Sequence, residues 1–202
     1  MSGATLEEIV EKYPEVALIH MEKIKKMIAY KAMRDENAGK LQWNGIDIQS
    51  FDNENNRRLA VWLDSNIRKT RAFASRQLYI YGPTCMGKTT LIENLSKYLS
   101  IYHIPRDEDF YDYYSDSYDL CVLDEFRSSK TIQWLNQFLD GSTMTLRQKG
   151  SQFIKKKNIP TIIVSNYSLR ECYMKVPDEK LETLERRLVI INVTSPINIV
   201  FK

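Results

Sequence analysis

The sequence predicts an α/β fold built on a parallel central sheet, and three observations lead to this prediction. Several short apolar runs of strand length end in polar or charged residues, as buried parallel strands often do. A glycine-containing segment joins the first of these runs to a stretch with helical spacing of apolar residues. The chain has 202 residues, of which 43% are hydrophobic and 27% charged. This length and composition are typical of one globular domain with an appendage.

The beginning of the chain is predicted to be helical. Thr5-Leu6-Glu7-Glu8 fits a capping box that begins a short helix, and Pro14 suits the first turn of a second helix that runs to about Met33. A loop is expected from residue 35 to residue 40. Residues 1–50 are interpreted as a small helical oligomerisation subdomain, or collar, because short helices need partners to bury their apolar stripes. A solvated basic face and an entry surface for nucleic acid are the alternatives.

The main domain, residues 51–202, is predicted to begin with a helix that Asp52 or Asn53 could cap. The apolar face of this helix carries Leu59, Trp62, Leu63 and Ile67. Basic residues follow it, at Arg68, Lys69, Arg71 and Arg76. Cations near a helix C-terminus are favourable with the helix dipole, so no ligand is needed to explain them.

Gly82 to Thr89 fit the pattern G-x-x-x-x-G-K-[ST] at every fixed position, between a predicted strand and a predicted helix. Gly82 and Gly87 allow the backbone to curl so that its N–H groups face phosphate oxygens. Lys88 can reach the β- and γ-phosphates of ATP, and the Thr89 hydroxyl can bind Mg²⁺. The residues predicted to contact the nucleotide are Gly82, Pro83, Thr84, Cys85, Met86, Gly87, Lys88, Thr89 and Thr90.

Two further apolar runs end in candidate catalytic residues. Residues 120–123 are followed by Asp124, a candidate Mg²⁺ ligand, and by Glu125, a candidate to orient or deprotonate the attacking water. Residues 161–165 are followed by Asn166, which is suited to hydrogen-bond the γ-phosphate or the same water. An asparagine that only closes a turn is an equal alternative for Asn166.

A β-hairpin is predicted around Lys149-Gly150, which separates two short strand-like stretches. The segment from Arg147 to Lys157 contains five cations, the two end residues included, and no acid, which favours contact with the phosphates of a single-stranded nucleic acid. A solvated hairpin whose charges prevent edge pairing is the alternative. The candidate nucleic-acid-binding residues are Arg147, Lys149 and Lys155. The Asp- and Tyr-rich segment 107–119 is interpreted as a surface connection.

Arg186 and Arg187 lie between a predicted helix end and the last predicted strand, residues 188–193. Such a pair is usually a salt-bridging surface feature. In an oligomeric ATPase it could instead supply an arginine finger to the nucleotide of a neighbouring subunit.

Other classes of site are not indicated. Three cysteines without C-x-x-C spacing and two isolated histidines predict neither a zinc site nor a disulfide framework. No apolar run is long enough to span a bilayer, and no signal-peptide pattern is present, so an intracellular, soluble protein without a membrane partner is expected. The net charge is only +3, so a nucleic-acid surface would depend on local clustering of cations.

These motifs, in this order, resemble superfamily 3 helicases, in particular the helicase half of replication initiator (Rep) proteins of circular single-stranded DNA viruses and related plasmids. The resemblance covers residues 5–194, and it is most specific at residues 77–84, Asp124-Glu125-Phe126, Lys149-Gly150 and residues 162–166. It implies an AAA+-like P-loop NTPase core, a hexameric ring with ATP and Mg²⁺ at subunit interfaces, and 3′-to-5′ movement on single-stranded DNA.

The resemblance also implies roles for individual residues. Gly82, Gly87, Lys88 and Thr89 match Walker A, Asp124 and Glu125 match Walker B, Lys149 the channel hairpin, Asn166 the sensor, and Arg186 or Arg187 the finger. Cys85-Met86 departs from the family, which often has smaller residues there. No His-x-His occurs, so we expect either an excised helicase domain or a full protein without nicking activity.

Three alternative functions remain beside a DNA helicase, and the hypothesis also predicts a location. An RNA-virus superfamily 3 helicase that acts on RNA shares the same ATPase layout. A small-molecule kinase also begins with a P-loop, but no substrate lid is recognisable. A nucleotide-gated assembly module would need no hydrolysis. The expected location is the host nucleus for a eukaryotic virus and the cytoplasm for a plasmid.

Overall fold

A computed structural model describes residues 6–47 and 53–202. The chain divides into two compact units, Met1–Lys40 and Leu41–Lys202. The described part of the first unit is helical, and all the described strands belong to the second unit. The predicted capping residue Thr5 and the alternative cap Asp52 lie outside the described residues.

Two helices form the described part of the first unit, α1 (Leu6–Lys12) and α2 (Pro14–Ala38). Pro14 begins α2 as predicted, because the N–H that proline lacks would be unbonded in the first turn anyway. The helix continues past its predicted end at Met33, so the loop predicted from residue 35 is wrong over its first residues. Its last turns consist mostly of good helix formers such as Ala, Met, Arg and Glu, and neither Gly nor Pro interrupts them.

Apolar side chains of α2 remain exposed to solvent. The sequence places Val16, Ile19 and Met27 mostly on one side of this helix, and these residues are exposed by 50%, 75% and 72%. His20 has non-helical backbone angles (φ −120°, ψ 15°), so the helical periodicity changes in the middle of this stripe. Exposed apolar surface often marks an interaction site, and the oligomerisation role of this unit stays a prediction.

The second unit is built on a five-stranded sheet in which all pairings are parallel. Its strand order is β2-β3-β6-β1-β7. The sheet strands are β1 (Gln77–Tyr81), β2 (Ile101–His103), β3 (Leu120–Leu123), β6 (Thr161–Ser165) and β7 (Leu188–Asn192); β4 (Met144–Gln148) and β5 (Ser151–Lys155) form a separate hairpin. The parallel central sheet predicted from the apolar runs is thereby confirmed.

Helices cover both faces of this sheet. They are α3 (Glu54–Asn66), α4 (Lys88–Ser96), α5 (Ile132–Leu139), α6 (Leu169–Cys172) and α7 (Asp178–Glu185). Successive residues of β1 point to opposite faces: Ile80 packs with α3 and α4, whereas Tyr79 packs with α5 and α7. Asn53 caps α3 by accepting a hydrogen bond from Asn56 N (2.8 Å), as one of the two predicted caps.

The order of the strands brings three predicted site segments to one edge. β6 lies between β1 and β3, with Tyr81 beside Ser165 and Leu123 beside Ile163. Because parallel strands all end at the same edge, the segments that follow β1, β3 and β6 meet there. These segments are the P-loop, Asp124-Glu125 and Asn166.

The hairpin β4–β5 turns at Lys149-Gly150, as predicted, and Gly150 has the positive φ of 71° that the turn requires. Segment 107–119 is not the simple surface connection that its composition suggested. Tyr111 and Tyr114 are only 3% and 2% exposed, and Tyr111 N donates to Arg147 O (2.7 Å). Asp112 Oδ1 accepts from Lys149 N (2.7 Å), so this segment holds the hairpin against the core.

Lys155, at the end of β5, is 1% exposed. Its Nζ has no hydrogen-bond partner among the described residues and lies 5.1 Å from the centre of the Phe138 ring. Burial lowers the pKa of Lys155, whereas Cys121, Asp116 and Asp140 act in the opposite direction. The prediction that Lys155 belongs to the nucleic-acid surface is wrong in this fold, because its ammonium group does not reach solvent.

Substitution of Lys155 by methionine is expected to stabilise the protein at pH 7. A buried polar group without a partner costs about 1–3 kcal/mol, and methionine fills a similar volume without a charge. Since the folded-state pKa lies below the unfolded value of about 10.4, wild-type stability rises between the two pKa values and the advantage of Lys155→Met shrinks there. Urea denaturation at pH 7 and above pH 9 measures both effects. The exposed neighbour Lys156→Met is the control, and a destabilised Lys155→Met at pH 7 would contradict the argument.

Candidate nucleotide-binding site

The P-loop lies between β1 and α4 and depends on its two fixed glycines. Gly82 has φ 149°, and a Cβ there would lie 2.4 Å from Val193 O. Gly87 has φ 80° and is the N-cap of α4, where it has no side-chain capping bond. Val193 therefore leaves no room for a side chain at position 82. At its other end the loop continues into the N-terminus of α4, where N–H groups without a helical partner favour an anion.

The C-terminal segment supports the P-loop through the backbone. Val193 N donates to Tyr81 O (2.7 Å), and Ile197 N donates to Met86 O (3.0 Å). Met86, one of the two departures from the resembling family, packs against the core on the α3–α4 side of the sheet, whereas Cys85 is exposed and has φ 62°. The larger residues thus fit this loop because the C-terminal segment and the core receive Met86.

Lys88 begins α4 and folds back over the P-loop. Its Nζ donates to Gly82 O (2.7 Å) and Pro83 O (2.6 Å), and the residue is 7% exposed. Burial lowers the pKa of Lys88, whereas the carboxylate of Asp124 acts in the opposite direction. The ammonium group therefore lies where carbonyl oxygens and a carboxylate stabilise it, and phosphate oxygens could replace the carbonyl oxygens as its partners.

Asp124 and Glu125 follow β3 but face different partners. Asp124 is half-buried, and its Oδ1 accepts from Glu125 N (2.8 Å). Glu125 has φ 49°, and its exposed carboxylate accepts from Arg106 Nη1 (2.6 Å). Arg106 also pairs with Asp107. No sequence pattern signals the role of Arg106, because its contact with Glu125 joins two loops at separate strand ends.

Asn166 is exposed at the end of β6, and its position is set by its neighbours. Ser165 Oγ donates to Phe126 O (2.7 Å) and accepts from Tyr167 N (3.0 Å). The hydroxyl of Tyr79 donates to Tyr167 O (2.7 Å). These bonds tie the end of β6, which directly precedes Asn166, to the segment after β3. Sequence reasoning misses Tyr79 and Ser165 as supporting residues, since an apolar run does not reveal which hydroxyl bonds across strands.

The donor set at this edge fits a nucleotide with Mg²⁺. Lys88 and the α4 N-terminus suit phosphate oxygens, and Thr89 and Asp124 supply the hydroxyl and carboxylate that Mg²⁺ accepts alongside phosphate and water. Among the described residues no group of three or more His, Cys, Asp or Glu side chains could hold a metal by itself.

Arg186 and Arg187 lie at the end of the sheet where the strands begin, opposite the P-loop. They precede β7, whose first residue Leu188 pairs with Gln77 at the start of β1. Arg187 Nη1 donates to Thr183 O (2.6 Å), and its Nη2 lies 3.5 Å from Asp140 Oδ2. Arg186 is 77% exposed and has a weak contact with Glu182 (3.7 Å). The structure does not bring either arginine to the P-loop of its own chain.

The other two candidate nucleic-acid-binding residues, Arg147 and Lys149, are exposed. The guanidinium of Arg147 lies 5.3 Å from the centre of the Phe110 ring, and Lys149 occupies the turn. Both therefore present charge to solvent at the tip of the hairpin, unlike Lys155.

The fold and this site together define a P-loop nucleotide-binding protein. Within this class, residues 78–160 match the model of the RNA helicase family. The matched segment runs from β1 through the P-loop, Asp124-Glu125 and the hairpin, so it has the sequence pattern of a helicase-type NTPase domain. It covers less than half of the chain. No curated protein matches the sequence.

Several solved structures are similar to this chain. A proposed primosome component from Streptococcus pyogenes serotype M3 is 16% identical, with 78% of this chain and 88% of that chain covered and a TM-score of 0.46. JCV helicase is 19% identical, with 59% and 36% covered and a TM-score of 0.43. DnaI is 15% identical, with 75% and 89% covered and a TM-score of 0.42. No helix in the described part of the chain has both the length and the apolar character needed to cross a bilayer.

Proposed function

We propose that this protein is an ATP-dependent helicase that couples hydrolysis to movement along single-stranded DNA as a ring oligomer. The observation that carries the proposal is the position of the hairpin in the chain. β4–β5 lies after β3 and α5 and before β6; β3 is followed by Asp124, and β6 is followed by Asn166. An element with exposed cations thus lies in the chain between the two strands that are followed by candidate catalytic groups.

The roles of the site residues follow from their chemistry. Lys88 binds the β- and γ-phosphates. Thr89 and Asp124 would hold Mg²⁺, which would neutralise charge on the transferring phosphoryl group. Glu125 orients the attacking water and accepts its proton. Asn166 hydrogen-bonds the γ-phosphate or the water. Arg106 is paired with Oε2 of Glu125 in this structure, so this pair competes with water for one of the two carboxylate oxygens.

Single-stranded RNA is the second candidate substrate. The family whose model matches residues 78–160 is described as RNA helicase, whereas the resemblance to replication initiators favours DNA. Neither Arg147 nor Lys149 discriminates between the two polymers, since cations at a hairpin tip meet phosphates rather than base edges. Stimulation of ATP hydrolysis by matched DNA and RNA oligomers, followed by duplex unwinding, distinguishes these substrates. No stimulation by either polymer, together with no hydrolysis, would instead favour a nucleotide-gated assembly module.

Substitution of Lys149 by alanine is expected to weaken binding of single-stranded DNA with little dependence on sequence. Removal of one phosphate contact should make the dependence of log affinity on log salt shallower by about 0.7. Fluorescence anisotropy over a salt series measures affinity and slope together. Lys175→Ala, which removes an exposed cation outside the hairpin, is the matched control. If affinity and slope both stay at wild-type values, the hairpin is a solvated edge and does not bind the strand.

A further inference from the structure

A second basic surface lies at the edge of the sheet opposite the P-loop. It is a cleft of about 720 Å³ lined by three loops, residues 68–73, 116–119 and 156–160. The last two loops lead directly into β3 and β6 at their amino-terminal ends. Five residues of β6 separate this edge from Asn166, a distance of roughly 17 Å at strand rise. The cleft is therefore distinct from the nucleotide site.

The acidic and the basic residues of the cleft differ in how they are paired. Asp119 is bound by Arg68 (3.1 Å) and by Ser100 N and Oγ (both 2.9 Å). Asp116 Oδ2 accepts from Lys156 N (2.9 Å). Both carboxylates therefore already have partners within the fold. Three exposed lysines line the cleft, Lys69, Lys156 and Lys157, and their ammonium groups form no ion pair with any described residue.

Arg71 also lines the cleft, but it is a structural residue. Its Nη2 donates to Gln77 Oε1 (2.9 Å) and to Ser75 O (3.1 Å), and burial lowers its pKa to about 10. Arg71 therefore shapes the cleft wall and fixes the loop that follows it, rather than offering its charge to a ligand.

The most unusual residue of the cleft is Phe73, whose side chain is 71% exposed. The backbone on both sides of it is fixed: Ala72 O accepts from Asn158 Nδ2 (2.7 Å), and Ala74 N donates to Asp140 O (2.8 Å). Asn158 fits closely over Gly141, where an added Cβ would lie 2.9 Å from its side chain. The fold thus holds an aromatic ring in solvent beside three lysines instead of burying it.

From this juxtaposition we propose that the cleft binds a segment of single-stranded nucleic acid, with the lysines on phosphates and a base stacked on Phe73. A strand of unpaired bases offers both partners at once, because every base has a face that can stack on an aromatic ring. In a duplex those faces are covered by the neighbouring base pairs, and an acidic peptide carries no base that could stack on the ring. Lys156 and Lys157 directly follow β5, so the cleft continues from the base of the hairpin whose tip carries Lys149.

This inference rests on the proposed function for the nature of the polymer, but it is tested separately. The probes are fluorescein-labelled oligothymidylate and oligouridylate, titrated with the full chain at several salt concentrations. Phe73→Leu should lower affinity roughly 5- to 150-fold, the factor that corresponds to one stacked base, and it should leave the salt slope unchanged. Phe73→Tyr should retain near wild-type affinity, because its ring still stacks. Both changes lie on an exposed side chain and leave the core intact.

The charge variant behaves differently. Lys69→Gln/Lys157→Gln should make the salt slope shallower by about 1.4, or 0.7 for each phosphate of a single strand that no longer meets a lysine. Lys175→Gln, an exposed cation outside the cleft, should change neither affinity nor slope. Hydrolysis of ATP without nucleic acid should stay at the wild-type level in all these variants, because none of the substituted residues lies at the P-loop edge.

The outcomes separate this proposal from the helicase function. Weaker binding by the cleft variants, in a chain that does not hydrolyse ATP, would support the cleft and overturn the helicase proposal. Normal binding by the cleft variants, alongside weakened binding by Lys149→Ala, would overturn the cleft alone. Equal affinity of Phe73→Leu and wild type, or equal competition by polyglutamate, would also overturn it, since the ring or the nucleotide would then be unnecessary.

Discussion

Replacement of Lys88 by alanine is expected to abolish ATP hydrolysis, with a loss of at least about 10²- to 10³-fold, the effect of removing one preorganised group that stabilises transition-state charge. Lys88 is the cation that the structure places on the P-loop, over the carbonyl oxygens of Gly82 and Pro83. Without it, the β- and γ-phosphates lose their ammonium partner, and two carbonyl oxygens lose their donor. Steady-state phosphate release measures the loss.

Two comparisons make this result specific. Lys97→Ala removes an exposed lysine just past the end of the same helix, where its ammonium group donates to Asn94, and should leave turnover unchanged. Glu125→Gln should retain nucleotide binding while it loses turnover, because an amide cannot accept the proton of water. Binding of a fluorescent ATP analogue separates the two defects. Wild-type turnover in Lys88→Ala would contradict the role of the P-loop lysine, and wild-type turnover in Glu125→Gln would contradict the role of Glu125 as the base.

Arg186→Ala is expected to lower ATP hydrolysis by roughly 10³- to 10⁵-fold while nucleotide binding persists, if Arg186 acts as a finger on the nucleotide of a neighbouring subunit. The structure favours Arg186 over Arg187 for this role. Arg187 is held by Thr183 and Asp140, whereas Arg186 is exposed with one weak contact. Both precede β7, at the edge opposite the P-loop, so neither can serve its own chain. Arg187→Ala should therefore mainly lower thermal stability.

A mixing experiment tests action between subunits. Lys88→Ala subunits have a defective P-loop and an intact arginine, and Arg186→Ala subunits have the reverse. Neither should hydrolyse ATP alone, but mixtures that exchange subunits should recover part of the activity, since some interfaces pair an intact P-loop with an intact arginine. Arg186→Lys should not restore activity, because lysine lacks the planar fork of the guanidinium. Full activity of Arg186→Ala, or no recovery despite demonstrated co-assembly, would contradict the finger.

Much of the fold could be predicted because its strands are short apolar runs with clear ends. Residues 78–80, 120–123 and 161–164 are buried throughout, so their composition alone distinguishes them from the rest of the chain. The P-loop has fixed spacing, and the hairpin turn contains the glycine that its positive φ requires. These features are local, and local patterns are what a sequence displays directly.

The features that could not be predicted depend on contacts between distant residues. The pairing of Arg106 with Glu125 and the packing of Tyr111 under the hairpin join segments with no shared periodicity. Lys155 carried a usable signal, because residues two apart in a strand share a face and Phe153 points toward the core. The charge of Lys155 suggested the surface, but the alternation of β5 places it with Phe153 inside.

The support of the P-loop by residues 193–197 has a consequence for biosynthesis. The glycine-rich loop leaves the ribosome early, but its backbone partners, Val193 and Ile197, are made only after all five strands of the sheet. Contacts between segments so distant in sequence form late and slowly. A nascent chain that has synthesised the motif but not its support therefore has the residues for phosphate binding without their native geometry, and nucleotide can stabilise only the finished domain.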